Sequence, residues 1–188
     1  ITESLFSMDG DLLDTDRFCR LKDRYNFLSI VDEAHAFGAL GEKGRGIAGN
    51  TADIGLGTFG KALGLFGAFV LLPETIREYL VNFASGFIYT TALPRAHGAA
   101  ALSLLDIAVQ SDDRREQLAH VSSLMKEELI EYGFDVSGDA HILSIAIGDE
   151  DRAVAMSDRL RDQGILSFPA RYPTGPENSG SPDRAAGQ

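Results

Sequence analysis

Apolar residues along the chain follow two rhythms. At 27–31 and again at 66–72 they run almost without interruption, the pattern of strands buried inside a sheet. At 54–57, Ile54 and Leu56 alternate with Gly55 and Gly57, which predicts another strand. Between such runs the spacing turns helical. Phe18, Leu21 and Tyr25 share one face, with Asp14 or Thr15 to cap the helix and Asn26 to end it. Ile76, Leu80 and Phe83 follow Pro73, and Ala100, Leu104, Ile107 and Ala108 follow Pro94. From Ser111, Asp112 and Asp113 to Gly133, the residues Leu118, Val121, Met125, Leu129 and Tyr132 predict a buried stripe. Short strands are expected at 1–7, 87–91, 142–147 and 165–168, with a helix over 150–163 closed by Gly164. Strands alternating with helices of this length predict an α/β sheet. A boundary is expected near Ser111, dividing 1–110 from a smaller α/β unit at 111–174. The stretch 175–188 has no apolar residue larger than alanine and reads as a disordered tail.

Composition narrows the function classes. Hydrophobic residues at 44% and charged residues at 24% are those of a folded soluble chain. A net charge of -11 disfavours nucleic acid or an anionic membrane as partner. Cys19 is the sole cysteine, so no disulfide forms within the chain, and a cytoplasmic location is expected. No apolar run approaches the ~18 residues of a membrane span, and no charged-then-apolar leader opens the sequence. Both ends read as interior to a longer protein, so a fragment is expected.

Candidate chemistry gathers at a few positions. Lys61 lies among Gly57, Gly60, Gly64 and Gly67, with Thr58 three residues before it and no acid nearer than Asp53. Glycines admit a bulky ligand close to the backbone, and an amine desolvated in such a place becomes a Schiff-base nucleophile. The plainer alternative is a loop lysine beside flexible turns. Asp32 and His35 follow a predicted buried strand, at the end where open α/β sheets bind ligands. Asp32 can hold a protonated ring nitrogen there; alternatively it caps a turn and His35 fills the core. His35, His97, His120 and His141 are scattered and lack His-Glu-x-x-His spacing, so no metal site is expected.

Five stretches taken together resemble the α-oxoamine synthase family of pyridoxal-phosphate (PLP) enzymes: TESLFSMDGD at 2–11, VDEAHA at 31–36, GEKGRG at 41–46, GTFGKALG at 57–64 and FIYTTALP at 87–94. Their order and spacing agree to about Thr174. The resemblance implies the fold-type I, aspartate aminotransferase-like α/β fold, with a mostly parallel sheet in a large domain and part of a smaller C-terminal α/β domain. It implies that Lys61 forms the imine with PLP, that Asp32 holds the pyridine nitrogen and that His35 lies near the phenolic oxygen. Ser7 and Thr58 match hydroxyls at the cofactor. Thr90, with Thr91, matches a phosphate contact made across a homodimer with a shared active site. Arg171 and Thr174 match residues that meet substrate, Tyr172 standing where the family has proline. The implied reaction joins an amino acid to an acyl thioester, carried on coenzyme A or acyl carrier protein, with loss of CO2. L-alanine and a pimeloyl thioester are the expected pair; the acetyl-, succinyl- and palmitoyl-transferring members share the same lysine, aspartate and histidine.

Two other classes compete. Asp32-Glu33-Ala34-His35 also spells a nucleoside-triphosphatase box, with Asp32 on magnesium and Glu33 as base; Gly60-Lys61 is followed by Ala62, so the phosphate loop such an enzyme needs is not formed there. The other is a non-catalytic remnant.

Overall fold

The computed structural model describes residues 1–170, in which strands and helices alternate as an α/β arrangement. Strands β1 (Thr2–Glu3), β2 (Ile30–Asp32), β3 (Ile54–Thr58) and β4 (Ala68–Leu71) form one sheet in that order. The first three are parallel and β4 returns antiparallel to β3. Register sets Glu3 beside Asp32 and Asp32 beside Leu56. The segments leaving β1, β2 and β3 therefore emerge along a single edge.

Helix α1 (Thr15–Tyr25) starts where Asp14 accepts the Arg17 N–H at 2.8 Å. It stops at Asn26, left-handed at φ 49°, whose N–H reaches the Lys22 carbonyl. Phe18 packs edge-on against Phe27 at 5.7 Å, seating the helix beside the strand that follows. Helices α2 (Glu74–Phe83), α3 (Ser85–Ile88), α4 (Arg95–Val109) and α5 (Asp112–Glu131) come next. A hairpin of β5 (Val136–Ser137) and β6 (Ser144–Ile145) precedes α6 (Glu150–Asp162).

Several sequence expectations need correction. The aromatic and β-branched run at 87–91 is not a strand. Its first part belongs to α3, the rest is exposed, and no strand among the described residues pairs with it. Residues 165–168 likewise pair with no strand among the described residues. β5 was not expected. β4 lies at the sheet edge with Val70 and Leu71 exposed, so its continuous apolar run is not buried on both faces. The stripe expected to be buried on α5 leaves Val121, Met125 and Tyr132 exposed.

The buried apolar core is small: Leu5, Val31, Ala36, Ala48, Leu63 and Ala101. Buried polar side chains share in holding it. Ser29 is 1% exposed; its hydroxyl lies 2.6 Å from the Thr51 carbonyl and 2.8 Å from Asp53 Oδ2. Asp53 also receives the Ser29 N–H at 2.8 Å and Lys22 Nζ at 2.8 Å. These donors, Lys22 foremost, hold its carboxyl down to about 2 from the usual 3.8. Between those values the unfolded chain binds more protons than the folded one. The stabilisation is thus complete above about pH 4 and is lost as pH falls toward about 2. Asp53→Asn is expected to lower the melting temperature at neutral pH and to flatten its fall over that acid window, measured by circular dichroism in the full-length protein.

Gly57 on β3 is buried, and a Cβ there would lie 2.2 Å from the Phe69 ring. Phe69 is itself wedged between Phe37 and Phe59, at 4.8 Å and 5.1 Å between centroids. Gly57→Ala is expected to cost about 1–3 kcal/mol, the range for overpacking, by urea denaturation.

Candidate active site

Three strand ends converge along the sheet edge. β1 delivers Ser7, β2 delivers Asp32 and His35, and β3 delivers Thr58 and Lys61. The sheet edge itself accounts for this clustering, because parallel strands in register release their following loops on one side.

Asp32 ends β2 half-buried. Its Oδ1 accepts the Ala34 N–H at 2.8 Å, which closes the turn toward His35; Oδ2 makes no hydrogen bond among the described residues. His35 is half-buried and titrates below the usual 6.5. Burial is the first cause and the Lys61 charge the second, against the opposing carboxylates of Glu3 and Asp32. Burial and the lysine thus favour the neutral ring. Lys61 and Asp32 both lie within electrostatic reach of it, which brings the three sequence-predicted residues together.

The loop from β3 to β4 carries Lys61. Thr58 Oγ1 donates to the Gly67 carbonyl at 3.1 Å and accepts the Gly60 N–H at 3.1 Å. Phe59 N–H reaches the Gly67 carbonyl, and Leu65 N–H reaches the Phe59 carbonyl. Gly64 and Gly67 have φ of 62° and 114°, left-handed values that the loop needs to turn back. The Thr58 hydroxyl thus braces this loop. Lys61 is exposed within it, so the desolvation expected from its glycine surroundings is not met by the described chain.

Ser7 is exposed. Its N–H donates to Glu3 Oε2 at 3.0 Å and its hydroxyl to Oε1 at 3.5 Å. Thr90 and Thr91, just after α3, are exposed and share no hydrogen bond with Asp32, His35 or Lys61. Arg171 and Thr174, like the tail at 175–188, lie outside the described residues.

Sequence reasoning missed two residues of this cluster. Glu3 faces His35 and fixes Ser7; its place four residues before Ser7 was the available signal. His141, set aside as scattered, is half-buried and near enough to His35 for that residue's backbone and imidazole to act on its titration, which burial lowers first. Glu33 has the opposite outcome. It is 8% exposed, and its carboxylate accepts Ser4 Oγ at 2.5 Å, Ala48 N–H at 2.5 Å and Ile47 N–H at 3.2 Å. A side chain so engaged cannot serve as the base of a nucleoside triphosphatase.

The sequence profile of aminotransferase class I and II matches residues 1–180. The chain belongs to the aminotransferase class I and II family. Within it, 8-amino-7-oxononanoate synthase of Chlorobaculum parvum is 41% identical over 184 residues, covering 95% of this chain and 47% of that protein. A putative 8-amino-7-oxononanoate synthase of Geobacillus kaustophilus is 39% identical over 186 residues, covering 95% and 48%. Among solved structures, Sphingomonas wittichii serine palmitoyltransferase superposes with a TM-score of 0.86 at 27% identity, over 94% of this chain and 46% of that one. Another serine palmitoyltransferase structure, described as holding PLP, gives 0.86 at 28%. The 8-amino-7-oxononanoate synthase of Francisella tularensis gives 0.82 at 34%, over 92% and 53%. This aminotransferase-family chain therefore shares the fold of the α-oxoamine synthases, and it spans about half the length of the curated relatives it matches.

Proposed function

We propose that the whole protein is a PLP-dependent acyltransferase that joins an amino acid to an acyl thioester with loss of CO2. The observation that carries this reading is the convergence of Asp32, His35 and Lys61 on one sheet edge, in a chain related to enzymes of that chemistry. The donor set suits the cofactor: a carboxylate oxygen without a partner for a cationic ring nitrogen, a neutral imidazole beside it, and an amine for an aldehyde. When bound, PLP supplies a ring that accepts the electrons released at the substrate α-carbon.

The chain's own residues do the rest. Lys61 Nζ holds the cofactor covalently and, once displaced, takes and returns the α-proton. Asp32 Oδ2 keeps the proton on the ring nitrogen. His35, neutral, orients the ring through one nitrogen. Ser7, Thr58, Thr90 and Thr91 complete the cofactor's surroundings, the last two from the other subunit of a homodimer. Arg171 and Thr174 meet the substrate carboxylate. The exposed apolar residues Phe83, Phe87 and Tyr89 favour a chain that packs against further protein, in keeping with such a dimer. Residues 1–110 form part of the PLP-binding domain and 111–174 part of the small domain, working in the cytoplasm.

The 41% identity to an 8-amino-7-oxononanoate synthase favours L-alanine and a pimeloyl thioester, on coenzyme A or acyl carrier protein, over the other acyl donors. Assay of the full-length protein with alanine, glycine and serine against acetyl, pimeloyl and palmitoyl thioesters tests this. CO2 release is expected fastest with alanine and the pimeloyl donor. Faster turnover of serine with palmitoyl thioester would reassign the acyl donor, and no turnover with any pair would sink the reading.

A further inference from the structure

We propose that Asp139 is a positioning residue for Ser7: it clasps the return arm of the hairpin whose turn carries that serine. The cofactor role of Ser7 itself rests on the proposed acyltransferase reading.

After β1 the chain makes a short hairpin. Leu5 and Leu12 face each other as an isolated antiparallel bridge, with Phe6 N–H on the Asp11 carbonyl and Leu13 N–H on the Ser4 carbonyl, each at 2.9 Å. In this arrangement the two bridged residues turn their own N–H and C=O groups away from each other. The Leu12 N–H therefore faces outward, and it donates to the Asp139 carboxylate at 3.1 Å. At the tip, Gly10 N–H closes the turn on the Phe6 carbonyl at 3.0 Å, with Ser7 exposed inside it. Glu3 holds the outgoing arm by accepting the Ser7 N–H at 3.0 Å. The return arm is held from outside, where Asp139 N–H donates to the Gly10 carbonyl at 2.9 Å.

Asp139 thus completes a β-bridge with its side chain. In a parallel pair, a residue gives its N–H to one neighbour of its opposite number and accepts an N–H from the other. Asp139 does this around Asp11, with Gly10 and Leu12 as the two partners. Its carboxylate stands in for a main-chain carbonyl, as short polar side chains can. The clasp is firmly mounted. Lys126 of α5 donates to the Gly138 carbonyl at 2.5 Å, and Ser137 pairs with Ser144 across the β5–β6 hairpin. Gly10 and Gly138 have φ of 75° and 116°, and a Cβ on either would run into the Ile142 carbonyl oxygen. Main chain approaches main chain there too closely for any larger residue. The turn that carries Asp139 and the turn that carries Ser7 are therefore held together from both sides of Asp139.

The test uses full-length protein with Asp139→Ala, which removes the acceptor, and Asp139→Asn, which keeps an oxygen in the same place. Each is made alone and together with Ser7→Ala. In the cofactor-free proteins, amide hydrogen exchange over 4–13 is expected to be about ten-fold faster in D139A than in the wild type. D139N is expected to exchange nearly as slowly as the wild type. Titration with PLP is expected to show about ten-fold weaker binding in D139A, the loss of one well-made hydrogen bond, and recovery of most of it in D139N. In the Ser7→Ala background D139A is expected to add little, because residues that act as a unit are not additive. Unchanged exchange or unchanged PLP affinity in D139A overturns the inference. So does a full further loss in the Ser7→Ala background, the mark of a merely structural effect, and so do equal losses in D139A and D139N. If the wild type binds no PLP but D139A still loosens 4–13, the clasp stands and the proposed activity falls. If all variants bind PLP as the wild type does and exchange is unchanged, the activity stands and the clasp falls.

Discussion

Full-length protein carrying Lys61→Ala is expected to lose turnover by at least about 10²–10⁴-fold, the range for deleting a positioned proton-transfer group. Loss of the covalent hold on the cofactor adds to this. Stability is expected to change by no more than about 0.5 kcal/mol, as for other surface substitutions. The reason is local. Lys61 is exposed and makes no hydrogen bond or ion pair among the described residues, while Thr58, Phe59, Leu65 and Gly67 shape its loop without it. Lys61→Arg keeps the charge that acts on His35 but cannot form the covalent link, and is expected to be as inactive as the alanine variant. Steady-state kinetics beside thermal melts separates the two effects. A large fall in Tm would show that the lysine holds the fold instead.

Glu33→Ala is expected to have the largest effect on stability, about 3 kcal/mol or more. Removing this buried carboxylate strands the Ser4 hydroxyl and the Ile47 and Ala48 N–H groups, each bond to a charged acceptor being worth about 1.5–3 kcal/mol. Both sides of the knot are tight. Ser4 is fully buried, its N–H on the Asp32 carbonyl at 2.9 Å, and a Cβ on Gly46 would lie 2.4 Å from the Glu33 carboxylate. In a chain of this size that loss corresponds to a fall in Tm of roughly 6–12 °C. The adjacent Asp32→Asn is expected to do the reverse, lowering PLP affinity and turnover while leaving Tm nearly unchanged. Two neighbouring acids thus divide the work: one faces the ligand edge and the other pins the loop at 46–48. Equal melting of both variants would contradict that division.

The positions of β3 and of Lys61 were legible in the sequence, because alternating Ile54, Gly55, Leu56 and Gly57 can form few things besides a strand approached closely by another chain segment. Asp14 and Asn26 marked the ends of α1 correctly, since capping is a property of a few adjacent residues. What failed depended on distant partners. The run at 87–91 has strand-forming side chains but no neighbouring strand among the described residues, and its first two residues close α3. Strand propensity records fitness for a half-buried pleated surface and does not say whether one is available. The stripe on α5 shows the same gap between periodicity and burial. The places of Asp32, His35 and Lys61 at one sheet edge followed from the strands expected before them. The place of His141 did not, because it stands more than a hundred residues from His35 in the chain.

The central claim is that the Lys61 amine carries the cofactor at this sheet edge. Incubating the full-length protein with PLP, reducing it with borohydride and mapping the pyridoxyl-bearing peptide tests it most directly. A label on Lys61 is expected, greatly reduced in Asp32→Asn and absent in Lys61→Ala. A label on another lysine, or none in the wild type, would contradict it.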